Sequence, residues 1–525
     1  MRFGPFLLCA ALLAAQTQPA AQDKCTVEGL VLNSVTGQPV PRALITLRTL
    51  GGPGVSPSAA APAPAAAASD SEGKFVFANL APGSYRISAQ RDNFQYIQPS
   101  PSAPLTLGAG DRKTGVVVRL TPFGAIAGHV QNEEGDPLPN VQVNAMIYQY
   151  TSEGRQLVAR SSASTNDLGD YRVFGMASGK YILRAAATVG RLTTGVNEAY
   201  VPLYYPGVTD SSGAAPVELA AGQDMRGVDF TLRRVHAVSV RGHLAKPAGA
   251  PNVVVSLSDA SGMGGAVGNS AANPEGGFEL RGVAPGSYTL TARISVANKM
   301  YVAERPLQIG SDDVEGVELT LAPPVDVSGV VRIEGETTLK LSQLLVMLRA
   351  PRQTGQARVN NEGTFEIRNL APEVYRLMVY PPGDLFMKSV RCGATDVTDS
   401  GLDLTGGGSC DLTITLSANG ARVEGQVQND DSRPAQVAYV TLVAPGSGRD
   451  DLFKGAATGS DGHFAIAGIA PGSYRIYAWD YAVDRAAFYD PDFIKPFENL
   501  GQKVQVSEGD KQTVTLKPIP KPATP

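Results

Sequence analysis

Hydrophobic and polar positions alternate in short runs along most of the chain, the two-residue period of strands that bury one face. Five stretches carry the same version of this pattern: SEGKFVFANLAPGSYRISA (71–89), DLGDYRVFGMASGKYILRA (167–185), PEGGFELRGVAPGSYTLTA (274–292), NEGTFEIRNLAPEVYRLMV (361–379) and SDGHFAIAGIAPGSYRIYAWD (460–480). In each, a turn glycine (Gly73, Gly169, Gly276, Gly363, Gly462) stands two residues before an aromatic (Phe75, Tyr171, Phe278, Phe365, Phe464). A tyrosine follows ten residues after that aromatic, at Tyr85, Tyr181, Tyr288, Tyr375 and Tyr474. Glycine supplies the left-handed backbone that a tight hairpin needs. The alternating stretch puts one face inward, Pro-Gly turns the chain, and the tyrosine is expected in the core with its hydroxyl bonded back to the turn, as in a tyrosine corner. Ser178 replaces the proline in the second copy and Glu373 the glycine in the fourth, so those two turns should differ in type.

The flanks repeat as well. Upstream of each copy is a short strand with a central glycine: VEGLV, IAGHV, VRGHL, VSGVV and VEGQV. Downstream comes an alternating strand such as VVVRL, VELTL or LTITL. The period, about 90 to 105 residues, is that of a domain and not of a solenoid. The pattern therefore predicts an all-β chain, a tandem array of five antiparallel β-sandwich domains over 22–122, 123–235, 236–324, 325–419 and 420–519, with 520–525 a tail. One segment breaks the order. The Pro/Ala-rich stretch 51–69 has no residues with which to bury a core and is expected to be a disordered loop within the first repeat.

TGQPVPRALITL (36–47) followed by SEGKFVFANLAPGSYRISA resembles the carboxypeptidase regulatory-like domain, a prealbumin/transthyretin-like sandwich. The array is also similar to the B-type repeats of collagen adhesins and to the carbohydrate-binding-like fold group. The resemblance implies a fold far more than a function, since such domains are appended to enzymes, receptors and adhesins alike.

Composition narrows the function classes. Charged residues are 18% of the 525-residue chain and the net charge is −4, which gives no basic surface for nucleic acid. Residues 1–21 read as a signal peptide: Arg2, an apolar run from Phe6 to Ala15, then Ala20-Ala21 for cleavage. No later apolar stretch reaches the length of a transmembrane segment. The expectation is an exported protein of the periplasm, cell surface or extracellular space, where disulfides persist. Cys392 and Cys410 fall in one repeat and are a candidate pair, while Cys25 has no evident partner.

No catalytic constellation is present in the sequence. His129, His236, His243 and His463 are scattered, and none begins a zinc-binding helix motif. There is no nucleophile elbow and no phosphate-cradling glycine loop, so neither a metal nor a cofactor is expected. What remains is aromatic. In the fifth copy Tyr477, Trp479 (the single tryptophan) and Tyr481 fall on the outer face of their strand, where earlier copies have polar residues such as Ser88, Arg184 or Thr291. Tyr204 and Tyr205 belong to a second aromatic group in the second copy, with Tyr148, Tyr150 and Tyr200. Either these rings form an open platform for a ligand such as a sugar, or the insert 483–501, rich in Phe and Tyr, folds over the stripe and buries it. The function expected is a non-catalytic binding or spacer protein of a bacterial-type cell envelope, its partner a carbohydrate or an envelope protein. The alternatives are an accessory array for a separately encoded enzyme or transporter, and a protein-binding adhesin.

Overall fold

A computed structural model describes residues 24–49, 64–97, 105–151, 154–187, 198–247, 250, 252–259, 266–435, 438–459, 461–481, 483 and 485–520. The expected signal peptide lies outside them. The chain divides into two compact units, 1–97 with 104–122, and 98–103 with 123–525. The first unit holds the first repeat and the second holds the other four.

Each repeat is built from two facing sheets. In the first, Lys74–Leu80, Cys25–Asn33, Arg112–Pro122 and Phe94–Tyr96 form one sheet, and Ala65–Ala68, Leu44–Thr49, Gly83–Gln90 and Leu105–Leu107 the other. Inward-facing residues of both sheets meet in one core, where Val27, Val31, Ile45, Leu47, Phe75, Tyr85 and Leu120 are buried. The other four repeats each have an equivalent cluster. Pairing in these sheets is antiparallel with two exceptions: the short strand Pro518–Ile519 runs parallel to Gly472–Trp479 in the fifth repeat, and a second parallel pairing, which the alternation does not reveal, recurs in every repeat. The opening strand of every repeat runs parallel to its closing strand, as in Leu30 opposite Val117 and Gly425 opposite Val514. The chain leaves the opening strand, traverses the second sheet and returns in the same direction.

The central glycine of the opening strand has a packing reason. Gly29 lies opposite Phe75, and a Cβ at position 29 would sit 2.1 Å from Val116 O and 2.5 Å from the Phe75 ring. The aromatic that follows each turn glycine thus lies across the bare backbone of the opening strand, and the same pairing recurs at Gly242–Phe278, Gly329–Phe365 and Gly425–Phe464. The turn glycines hold φ between +74° and +97°, the left-handed region expected of them. Tyrosine corners form: the hydroxyls of Tyr85, Tyr181, Tyr375 and Tyr474 donate to the carbonyls of Ala81, Ala177, Ala371 and Ala470 at 2.7, 2.8, 3.0 and 2.8 Å. The fourth turn differs in type, since Glu373 has no positive φ where Gly286 and Gly472 have +159° and +158°.

One expectation is corrected. Part of the segment assigned to a disordered loop is an edge strand, Ala65–Ala68, paired with Leu44–Leu47. Its alanines contribute little apolar surface; backbone hydrogen bonds hold it, and buried Ser69 anchors its end by donating to Val40 O at 2.7 Å. Residues 51–63 lie outside the described ones. Among the described residues no helix is long and apolar enough to cross a membrane.

Inside the second unit, neighbouring repeats meet through polar seams. Arg184 of the second repeat, 2% exposed, pairs with Asp259 of the third at 3.0 Å. Met300 N donates to Asn369 Oδ1 between the third and fourth at 2.7 Å. Arg422 pairs with Asp384 between the fourth and fifth at 3.1 Å, and Arg449 donates to Met387 O at 3.0 Å.

Candidate functional site

The fifth repeat differs from the rest in what covers its second sheet. Strand Gly472–Trp479 sends Tyr474, Ile476 and Ala478 into the main core, as the two-residue period requires. Tyr477 and Trp479 point the other way into a separate cluster with Val443, Phe453, Phe488 and Ile519. Phe493 and Phe497 close it from short helical turns at Pro491–Ile494 and Lys495–Phe497. Of the two alternatives for the stripe, the structure has the covered one. Trp479 is 0% and Tyr477 1% exposed, and Tyr481 is half-buried. The insert carries enough apolar surface to fold onto the stripe, so its rings form no open platform.

Trp479 is the hub. Its ring centroid lies 5.5 Å from Tyr477, 5.7 Å from Tyr481, 5.1 Å from Phe497 and 5.8 Å from Phe488. Its indole N–H donates to Thr441 Oγ1 at 2.6 Å, which satisfies the one polar atom of a fully buried side chain. The insert is tied down at its margins: Arg475 donates to Glu498 O and Oε1, and the Tyr489 hydroxyl donates to Asp450. Burial pushes the pKa values of the Tyr477 and Tyr481 phenols up, and neither hydroxyl has a hydrogen-bond partner among the described residues.

Beside this cluster, between the strand Lys454–Ala457 and the insert, is a cavity of about 300 Å³. Tyr439, Thr441, Phe453, Lys454, Val483 and Phe488 line it. Tyr439 lies opposite Trp479 in the sheet, and Thr441 opposite Tyr477. One Thr441 hydroxyl therefore links the cavity wall to the tryptophan. Aromatic walls, a hydroxyl and an ammonium group suit a small ligand with both apolar and hydrogen-bonding faces.

The second repeat has a smaller counterpart. Tyr204 is buried with Met146, Leu157 and Ile182 on the outer face of its sheet, and the Arg155 guanidinium lies 3.3 Å from the centre of the Tyr148 ring. Tyr205 turns away into the main core, edge-on to Phe230 at 6.1 Å, and Tyr200 packs against that core too. The tyrosines read together in the sequence therefore form no single face. Burial pushes the Tyr150 pKa up, and its hydroxyl pairs with Asp490 of the fifth repeat's insert.

Two further positions complete the account. Arg184, read as an exterior polar residue, is buried because the third repeat packs over it. Cys392 and Cys410 form a disulfide with Cα atoms 5.7 Å apart, while Cys25 is buried and its Sγ donates to Gly108 O. His129 and His243 sit on the surface beside Asp170 and Glu318, at 3.1 and 3.5 Å. Among the described residues no group of three metal-ligating side chains comes together.

These features define a β-sandwich repeat protein with an elaborated fifth repeat. Residues 26–121 match the carboxypeptidase regulatory-like domain, over the first repeat. No curated protein is similar in sequence. Among solved structures, the Bacillus anthracis TIE protein is 13% identical, with 56% of this chain and 51% of that one covered and a TM-score of 0.18; the chain thus spans about half its length. The minor pilin GBS52 of Streptococcus agalactiae is 15% identical over 40% of this chain and 96% of its own, with a TM-score of 0.23. The shaft pilin SpaA of Lactobacillus rhamnosus GG is 9% identical over 41% and 97%, with a TM-score of 0.24. Likeness at this level says nothing about what the chain binds.

Proposed function

We propose that this chain is an exported, non-catalytic binding protein of the cell envelope, in which sandwich repeats serve as scaffold and the fifth repeat recognises a carbohydrate. One observation carries the reading: the 300 Å³ cavity in the fifth repeat, where three aromatic rings and the Thr441 hydroxyl face one space. Aromatic faces suit the C–H side of a sugar ring, and a hydroxyl and an ammonium suit its oxygens. The division into five domains at about residues 123, 236, 325 and 420 belongs to the same reading.

The test uses the full chain and its only tryptophan. Because Thr441 both lines the cavity and accepts from the indole, a sugar bound there should shift Trp479 emission. Tyr439→Ala should weaken retention by the same polysaccharide in affinity electrophoresis about tenfold or more. If no polysaccharide retards the protein or changes its emission, the carbohydrate reading fails. Co-purification with an envelope protein would then support the adhesin or accessory-array alternatives.

A further inference from the structure

The second repeat carries a hairpin longer than its counterparts. Val141–Thr151 and Gly154–Ser164 have 11 residues each, where the corresponding strands of the other repeats have 4 to 6. Residues 141–146 also pair on their other side, with 182–187 of the same sheet. From Ile147 onward the ribbon is two-stranded. It runs about 17 Å past the end of the third strand, roughly five residues at about 3.4 Å each. A two-stranded ribbon is marginal in water and keeps its shape by packing on something else. Tyr148 still packs on its own repeat; Tyr150, two residues further out, reaches beyond it.

What it reaches is the insert of the fifth repeat. Strand Val141–Thr151 lies against the turn Arg485–Tyr489, and the Tyr150 hydroxyl donates to the carboxylate of Asp490, the next residue after that turn. Asp490 is itself held in place: its Oδ1 accepts from Asp492 N at 2.9 Å, and its carbonyl accepts from Ile494 N at 3.1 Å. Arg155 stands opposite Tyr150 in the ribbon, with its guanidinium 5.8 Å from the centre of that ring. The tip therefore offers a phenol and a cation to a segment that carries Asp490 and Asp492, so the two surfaces are complementary in charge. The turn they meet at is the one that brings Phe488 onto Trp479, at 5.8 Å between ring centres. Two departures from the shared plan, in repeats that are not consecutive in the chain, thus meet each other.

We propose that the long hairpin of the second repeat is an intramolecular latch, which holds the fifth repeat's insert down on Trp479 through Tyr150 and Asp490. With the latch released, the insert keeps only the contacts of its own repeat, and the wall that Val483 and Phe488 give the cavity loosens. A molecule entering that cavity would be coupled to the latch, and the latch to it, by the same factor. This last consequence rests on the binding role proposed above; the latch itself does not.

Hydrogen–deuterium exchange on the full chain, without any ligand, tests the latch, and each substitution is read on the opposite partner. Tyr150→Phe keeps the ring and removes the hydroxyl. It should speed exchange across 487–501 about fivefold or more, while 170–187 in its own repeat keeps wild-type protection. Asp490→Ala should speed exchange across 147–151 and 154–158 by a similar factor. Losing the bond to Asp492 N acts within the insert, so a response in the hairpin isolates the contact between the repeats. The proposal is overturned if either substitution leaves the opposite partner exchanging as in the wild type, or if faster exchange is confined to the repeat that carries the substitution. Because no sugar is present, the carbohydrate reading can fail while the latch stands, and the latch can fail while that reading stands.

Discussion

Trp479→Ala tests whether the aromatic cap is a packed core. The indole is fully buried among five other rings, and removing it takes away about 150–200 Å² of buried apolar surface. At ~25 cal/mol per Å² that is roughly 4–5 kcal/mol. Loss of the bond to Thr441 adds about 1 kcal/mol, and partial collapse of the insert offsets some of the total. The net destabilisation should be about 3–5 kcal/mol, and Trp479→Phe, which keeps a ring but loses the bond, should cost about 2 kcal/mol. A multi-repeat chain does not melt in two states, so a global midpoint is the wrong observable. Exchange of amides in strands 463–469 and 472–479 under increasing urea reads the repeat directly. The wild-type tryptophan should also resist acrylamide quenching. A loss below about 1 kcal/mol, or an easily quenched tryptophan, would show that the insert does not pack on the ring and would refute the reasoning.

Other perturbations should act as follows. Reducing Cys392–Cys410, which closes a separation of 18 residues, should destabilise the fourth repeat by about 3 kcal/mol in denaturant titrations with and without reductant. Asp259→Ala leaves the Arg184 charge buried and should cost about 3–5 kcal/mol, whereas a double replacement of both partners by leucine should cost much less, as a double-mutant cycle would show. Tyr474→Phe strands the Ala470 carbonyl and should cost about 1–2 kcal/mol by amide exchange in the fifth repeat. Burial pushes the Tyr474 and Tyr288 pKa values up to about 12, against about 10 in the unfolded chain. Between pH 10 and 12 the unfolded state releases a proton that the folded state keeps. Each of these repeats should therefore lose about 1.4 kcal/mol per pH unit across that window and nothing from this source below it, measured by denaturation against pH.

The parts of the fold legible in the sequence are those governed by local chemistry. A glycine two residues before an aromatic, and a tyrosine ten residues on, specify a hairpin and a corner whose partners lie within a few residues, and the structure has both. Facts that depend on distant neighbours were not legible. The period places Trp479 and Arg184 on outer faces correctly, but it carries no information about what covers those faces. In one case the cover is an insert of the same repeat, in the other the next repeat along. Ala65–Ala68 has no hydrophobic alternation to read, since its hold on the sheet is through the backbone. Glu373 was visible as a break in the Pro-Gly turn, yet only the fold shows that the broken rule brings a carboxylate into a seam.

The parallel pairing of opening and closing strands has a mechanical consequence. In every repeat the two strands at which the chain enters and leaves lie side by side and point the same way. A pull on the two ends of a repeat drags these neighbours in opposite directions along their length. Their ladder of hydrogen bonds is then loaded in shear, all at once, and does not peel apart one bond at a time. A chain tethered at one end and holding a partner at the other would meet this resistance in each repeat that bears the load.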